Sequence, residues 1–214
     1  MLQIDDAGWG CLVGGVTVGC YRVETAEFVA GTVAPTFFQD DDPDEAGRFW
    51  RKDYLTAAAR VVDVCLAQLK ATPVEPVAIC SGYVLDGVRA RLTAQGYRWQ
   101  IAKTPALHLP VCAGASVTGP LQELVERTFQ AHLAELGFHV SYDLLTDPNK
   151  AGLFWWKQVT WLKASNADAT APDPQRARVC KTGWSTFNTW ACHPYAEARA
   201  LAGWAKRRHP HTRN

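Results

Sequence analysis

Apolar positions along this chain first follow a period of two and later switch to steps of three and four. The run opening at Gln3-Ile4 is a short strand. Residues 12–22, rich in Val, Gly and Cys without a helical stripe, form a second, and residues 27–33 alternate as a third. A Pro- and Asp-rich stretch at 35–43 precedes residues 46–69, where Phe49, Tyr54, Leu55, Val61, Val62, Cys65, Leu66 and Leu69 recur at helical spacing. Residues 76–80 read as a buried strand, 84–95 as a helix stopped by Gly96, and 97–102 as another strand. A long helix over 118–136 takes Thr118 as its cap, Pro120 in its first turn and Gly137 as its stop. Residues 140–145 read as a further strand or edge segment. The order strand, strand, strand, helix, strand, helix, strand, helix predicts an α/β fold. Its mixed sheet has three antiparallel strands and then parallel ones, flanked by helices.

Composition narrows the class. A chain of 214 residues with 48% hydrophobic content can bury a real core as one domain, or as one domain with an extension. No run approaches the length of a membrane span, and the N-terminus enters Asp5 and Asp6 without a signal-like pattern, which predicts a soluble, cytoplasmic protein with no membrane partner. The seven cysteines are odd in number, scattered and without a Cys-x-x-Cys pair, as expected of reduced, mostly buried thiols. A net charge of +1 hides an uneven distribution. Asp40, Asp41, Asp42, Asp44 and Glu45 form an acidic knot. From Arg176 onward, Arg176, Arg178, Lys181, Arg199, Lys206, Arg207, Arg208 and Arg213 face only Glu197. That basic end suits a phosphate-bearing partner, or serves as a solubilising tail.

The densest chemistry is at the start, Gln3-Ile4-Asp5-Asp6-Ala7-Gly8-Trp9-Gly10, followed by Gly14-Gly15. Adjacent carboxylates at a strand end raise one another's pKa or recruit a cation. The alternative is a solvated Asp-Asp turn. In element order and in this motif, residues 1–145 resemble the ribonuclease H-like superfamily, and locally the type 2 ribonucleases H. Their first strand ends Asp-Glu-Ala-Gly-Arg-Gly, with Gly-Pro three residues on. Asp6 replaces that glutamate by a shorter acid, and Trp9 replaces the arginine that in the family lies against the substrate backbone. Trp9 then either stacks on a base or covers the core.

The resemblance implies a nuclease that hydrolyses phosphodiester bonds in DNA or RNA with Mg²⁺ or Mn²⁺. Carboxylates would hold two ions, one activating water and the other stabilising the leaving oxygen. Its catalytic candidates are Asp5, Asp6, Asp86 and Glu123, and its metal ligands Asp5, Asp6 and Glu123. Glu123 lies near the position of a further family acid, on a helix entered through Cys112-Ala113-Gly114-Ala115-Ser116-Val117. Glu126 shares its face. On the central strand the family delivers another aspartate, but here the chain reads Val77-Ala78-Ile79-Cys80-Ser81-Gly82. Asp86 then substitutes from the following helix, or only faces that helix's dipole. Asp53 and Glu45 are other acids in reach. The same fold also admits a non-catalytic protein that binds nucleic acid or a protein partner. Actin-like phosphotransferases share it too, but need two such domains.

Residues 146–214 read as a C-terminal cap or extension. Leu153-Phe154-Trp155-Trp156-Lys157-Gln158-Val159-Thr160-Trp161-Leu162-Lys163 places aromatics among lysines, and Trp184, Trp190 and Trp204 add to a total of nine tryptophans. Trp9, Lys157, Lys163 and Lys181 are the nucleic-acid-binding candidates. The rings equally suit closure of an open sheet face. Residues 164–175 have linker composition. Cys180, Cys192, His193, His209 and His211 fit no established zinc spacing. Cys80-Ser81-Gly82 lacks the Gly-x-Ser-x-Gly elbow of acyl transfer.

Overall fold

The computed structural model describes residues 1–39, 49–102, 120–163 and 172–183. The expected segment at 112–117, the Thr118 cap, the acids 40–45, and Cys192, His193, His209, His211, Trp184, Trp190 and Trp204 lie outside them. So do residues 164–171 of the expected linker.

Five strands form one sheet in the order β3-β2-β1-β4-β5: β1 (Leu2–Ala7), β2 (Val16–Arg22), β3 (Glu27–Val33), β4 (Val77–Cys80) and β5 (Trp99–Ala102). β1, β2 and β3 pair antiparallel, while β4 pairs parallel with both β1 and β5. The mixed sheet expected from the sequence is the one observed, and its arrangement is compatible with a ribonuclease H-like fold.

Strand period two separates two cores. Leu2 and Ile4, with Val16, Val18, Cys20, Val77 and Ile79, bury against α1 (Asp53–Gln68) and α2 (Asp86–Ala94). Ala7, Tyr21 and Ala78 face the other way. They meet Leu121, Val125, Phe129 and Leu133 of α3 (Pro120–Glu135), which recur every fourth residue along one stripe. Beyond α3 come the short α4 (Tyr142–Thr146), α5 (Ala151–Lys163) and the single turn α6 (Pro174–Ala177). Phe154, Val159 and Leu162 of α5, and Cys180, complete the second core.

Several boundaries differ from the sequence expectation for local reasons. The first long helix begins at Asp53, not 46, because Lys52 adopts a left-handed conformation (φ 61°) that interrupts helical backbone. β2 begins at Val16, because Gly14 (φ 76°) turns the chain just before it. The strand expected at 140–145 is instead the cap and body of α4: the Ser141 hydroxyl accepts a hydrogen bond from the Leu144 amide, and the chain winds into a helix. Among the described residues no helix is long and apolar enough to cross a membrane.

Candidate metal centre

β1 and β4 are the parallel pair at the middle of the sheet. From β1 the chain proceeds to β2 on one side, and from β4 to β5 on the other. Because β1 and β4 are neighbours and run parallel, their carboxyl ends lie side by side at one edge of the sheet. Asp5 and Asp6 occupy the end of β1, and Cys80 ends β4. A ligand atom from each of these three side chains lies within 4.8 Å of the other two.

Local backbone explains how adjacent residues converge. Asp5 shares its strand face with Gln3 and Ala7, Asp6 with Leu2 and Ile4. The Asp5 carboxylate accepts the Asp6 amide at 2.9 Å, which folds it over the strand end. The Cys80 thiol accepts the Gly82 amide at 3.4 Å. Asp6 is brought to the same place by the β4–α2 turn: a Cβ on Gly82 would fall 2.4 Å from Asp6 Oδ1, so the close approach requires glycine there. Gly8 (φ 93°) ends β1 in a conformation that disfavours L side chains, and its missing Cβ leaves room for the Phe129 ring.

Charge is balanced from below. Lys181 is fully buried, and its ammonium donates to the carbonyls of Gly8 and Trp9, the latter at 3.2 Å, with the Phe38 ring 5.2 Å away. Burial pulls its pKa down to about 8. Asp6 moves the opposite way. Desolvation and the neighbouring Asp5 charge raise its pKa to about 7, against the opposing pull of Lys181 and Arg89. Cys80 is pushed up to about 12 by burial and by the same Asp5 charge. Arg89 braces the turn beneath Gly82, donating to the Cys80 carbonyl at 2.9 Å and to the Gly82 carbonyl at 3.3 Å.

The other candidate acids each pair with a neighbouring side chain. Asp86 is ion-paired with Arg89 within α2. Glu123 is paired with Arg127 one turn along α3 at 2.7 Å, and Glu126 accepts from Gln122 and Tyr142. Asp53 is bound to Arg51. Among the described residues, the cluster of potential ligands consists of Asp5, Asp6 and Cys80.

The expected nucleic-acid residues also separate. Lys181 and Lys163 are buried (0% and 5% exposed) and therefore lie beneath the surface rather than on it; Lys157 is half-buried on α5. Trp9 is half-buried among Phe38, Tyr54 and Tyr83, with ring centroids 5.6–6.1 Å away. Cys180 sits in the core, its thiol against the Arg176 carbonyl at 3.3 Å.

Sequence reasoning passed over Cys80 as a ligand. Its signal was its place at the end of β4, the strand beside β1, where the resemblance calls for an acid. Gln158 had no such signal. From α5 its side-chain oxygen accepts the Leu12 amide at 2.6 Å, the Val13 amide at 3.4 Å and the Cys11 thiol at 3.0 Å, holding the loop that follows the acid pair. No family model matches the chain, and no curated protein does.

Proposed function

We propose that this protein is a divalent-metal-dependent nuclease of the ribonuclease H-like superfamily, hydrolysing phosphodiester bonds in DNA or RNA. The observation that carries the reading is the convergence of Asp5, Asp6 and Cys80 within 4.8 Å at the carboxyl ends of the central parallel strands. Two carboxylates brought together in a largely desolvated place repel unless a proton or a cation intervenes. Lys181 relieves part of that repulsion, and Asp6 still keeps a proton up to about pH 7.

The donor set fits one divalent ion held by Asp5 and Asp6 with Cys80 alongside. The two carboxylates suit Mg²⁺ or Mn²⁺, and of these the softer Mn²⁺ tolerates the neighbouring thiol better. Bound there, the ion would supply Lewis-acid polarisation of a phosphate oxygen and a more acidic water. The chain's own residues prepare for it. Asp6 would release its proton when it takes an ion. Asp5 is fixed by the Asp6 amide, and Lys181 and Arg89 hold the two backbone segments from which the ligands project.

The test is cleavage of labelled single-stranded, duplex and hybrid substrates by the intact chain with Mn²⁺, beside Asp5→Asn. Cleavage that requires Mn²⁺ and falls to background in a folded Asp5→Asn supports the proposal. Cleavage that persists in that variant contradicts it. A second reading, a protein of the same fold that binds nucleic acid without cutting, is favoured by one feature: a thiol, not a carboxylate, ends β4. It predicts affinity that falls with salt and ignores both metal and Asp5→Asn.

A further inference from the structure

Beside the acid cluster the surface carries a chain of aromatic rings. Trp9 lies 6.1 Å from Tyr83 and 5.6 Å from Tyr54, centroid to centroid. Tyr54 lies 5.7 Å from Phe49, which lies 5.7 Å from Trp50. The inner members are buried or half-buried. The outer ones are not: Tyr83 is 44% and Trp50 71% exposed. Tyr83 directly follows Gly82, the residue packed against Asp6, so the ring chain begins where the carboxylates end.

Charge identifies the occupant. Lys52 is exposed, and its ammonium stands 5.5 Å from the Tyr83 ring centroid. Arg51, next to it, is already committed to Asp53. A ligand with flat apolar faces and an anionic connector satisfies both the rings and the ammonium. Nucleotides in an unpaired strand have that form. In a duplex the base faces are occupied by their neighbours and cannot reach the rings.

We infer that Tyr83 and Trp50 form a stacking platform for an unpaired nucleic-acid strand, with Lys52 taking a phosphate, so that the strand is led toward Asp5 and Asp6. This rests on the reading of that cluster as a phosphodiester site. It adds the substrate class: single strands, or duplexes with an unpaired tail. Tyr83 and Lys52 act in binding and are not catalytic residues.

The experiment is fluorescence anisotropy of the full chain with a short fluorescein-labelled DNA or RNA strand, and with the duplex formed from it, in EDTA so that no cleavage occurs. The strand should bind more tightly than the duplex. Tyr83→Ala should weaken strand binding by about tenfold, and Tyr83→Phe, which keeps the ring, should bind as the wild type. Lys52→Met should reduce the slope of log affinity against log salt by about 0.7. Equal or tighter duplex binding, no binding of either probe, or a folded Tyr83→Ala that binds unchanged would each overturn the inference. Because Asp5→Asn should bind the strand at least as well as wild type in EDTA, loss of the cleavage reading and loss of this one are separately visible.

Discussion

Burial and the Asp5 charge hold a proton on Asp6 up to about pH 7, whereas in an unfolded chain an aspartate loses it near pH 3.8. Between those values the native state binds more protons than the unfolded state, so this residue makes stability fall as pH rises, levelling off above about pH 7. Asp6→Asn should therefore flatten that decline and raise the melting temperature at neutral pH, as read from thermal melts across the window. A variant that melts lower than wild type at neutral pH would contradict the assigned desolvation. Gly82→Ala tests the same carboxylate sterically. Its methyl would displace the end of a flexible side chain, with little effect on the fold, yet should weaken Mn²⁺ binding by at least about tenfold. Cys80→Asp should raise the response to Mg²⁺ relative to Mn²⁺ by supplying a third hard ligand. At this scale Asp5 and Asp6 were legible because adjacent carboxylates at a strand end are costly unless something neutralises them. Cys80 was not, because a thiol ending an apolar strand reads as core.

Elements carry the next level of support. The β1–β2 loop has amides that no strand partner satisfies, and Gln158 of α5 accepts two of them, from Leu12 and Val13. Gln158→Leu should cost about 2 kcal/mol, since it strands buried donors, and urea melts would measure it. A neutral outcome would mean that the loop finds other acceptors. Hydrophobic period made the strands and amphipathic helices readable, including β3 with both ends as expected. It failed where one residue's local chemistry decides: Lys52 in left-handed backbone delays α1, and Ser141 caps a turn into α4 where apolar neighbours suggested a strand. The lysines of α5 and its aromatics looked like a binding surface by composition alone. Which of them face inward depends on packing, and Lys163 does.

Over the whole molecule, sheet order places the acids centrally, and a distant segment supports them. Val179 and Lys181 exchange backbone hydrogen bonds with Gly14 and Leu12, Gln39 donates to the carbonyls of Arg178 and Cys180 at 2.8 Å, and the Gly183 amide reaches the Phe38 carbonyl. This clip delivers the Lys181 ammonium under Gly8 and Trp9. That three antiparallel strands precede parallel ones was legible because few topologies satisfy the element sequence. The clip was not, since it joins residues far apart through backbone bonds that carry no side-chain signature.

The most direct test of the metal centre is a thermal-shift titration of the intact chain with Mn²⁺ above pH 7, where Asp6 has shed its proton, run beside Asp5→Asn. The proposed site predicts a concentration-dependent rise in melting temperature for the intact chain that vanishes in the folded variant. A rise of equal size in Asp5→Asn, or none in the intact chain, would contradict it.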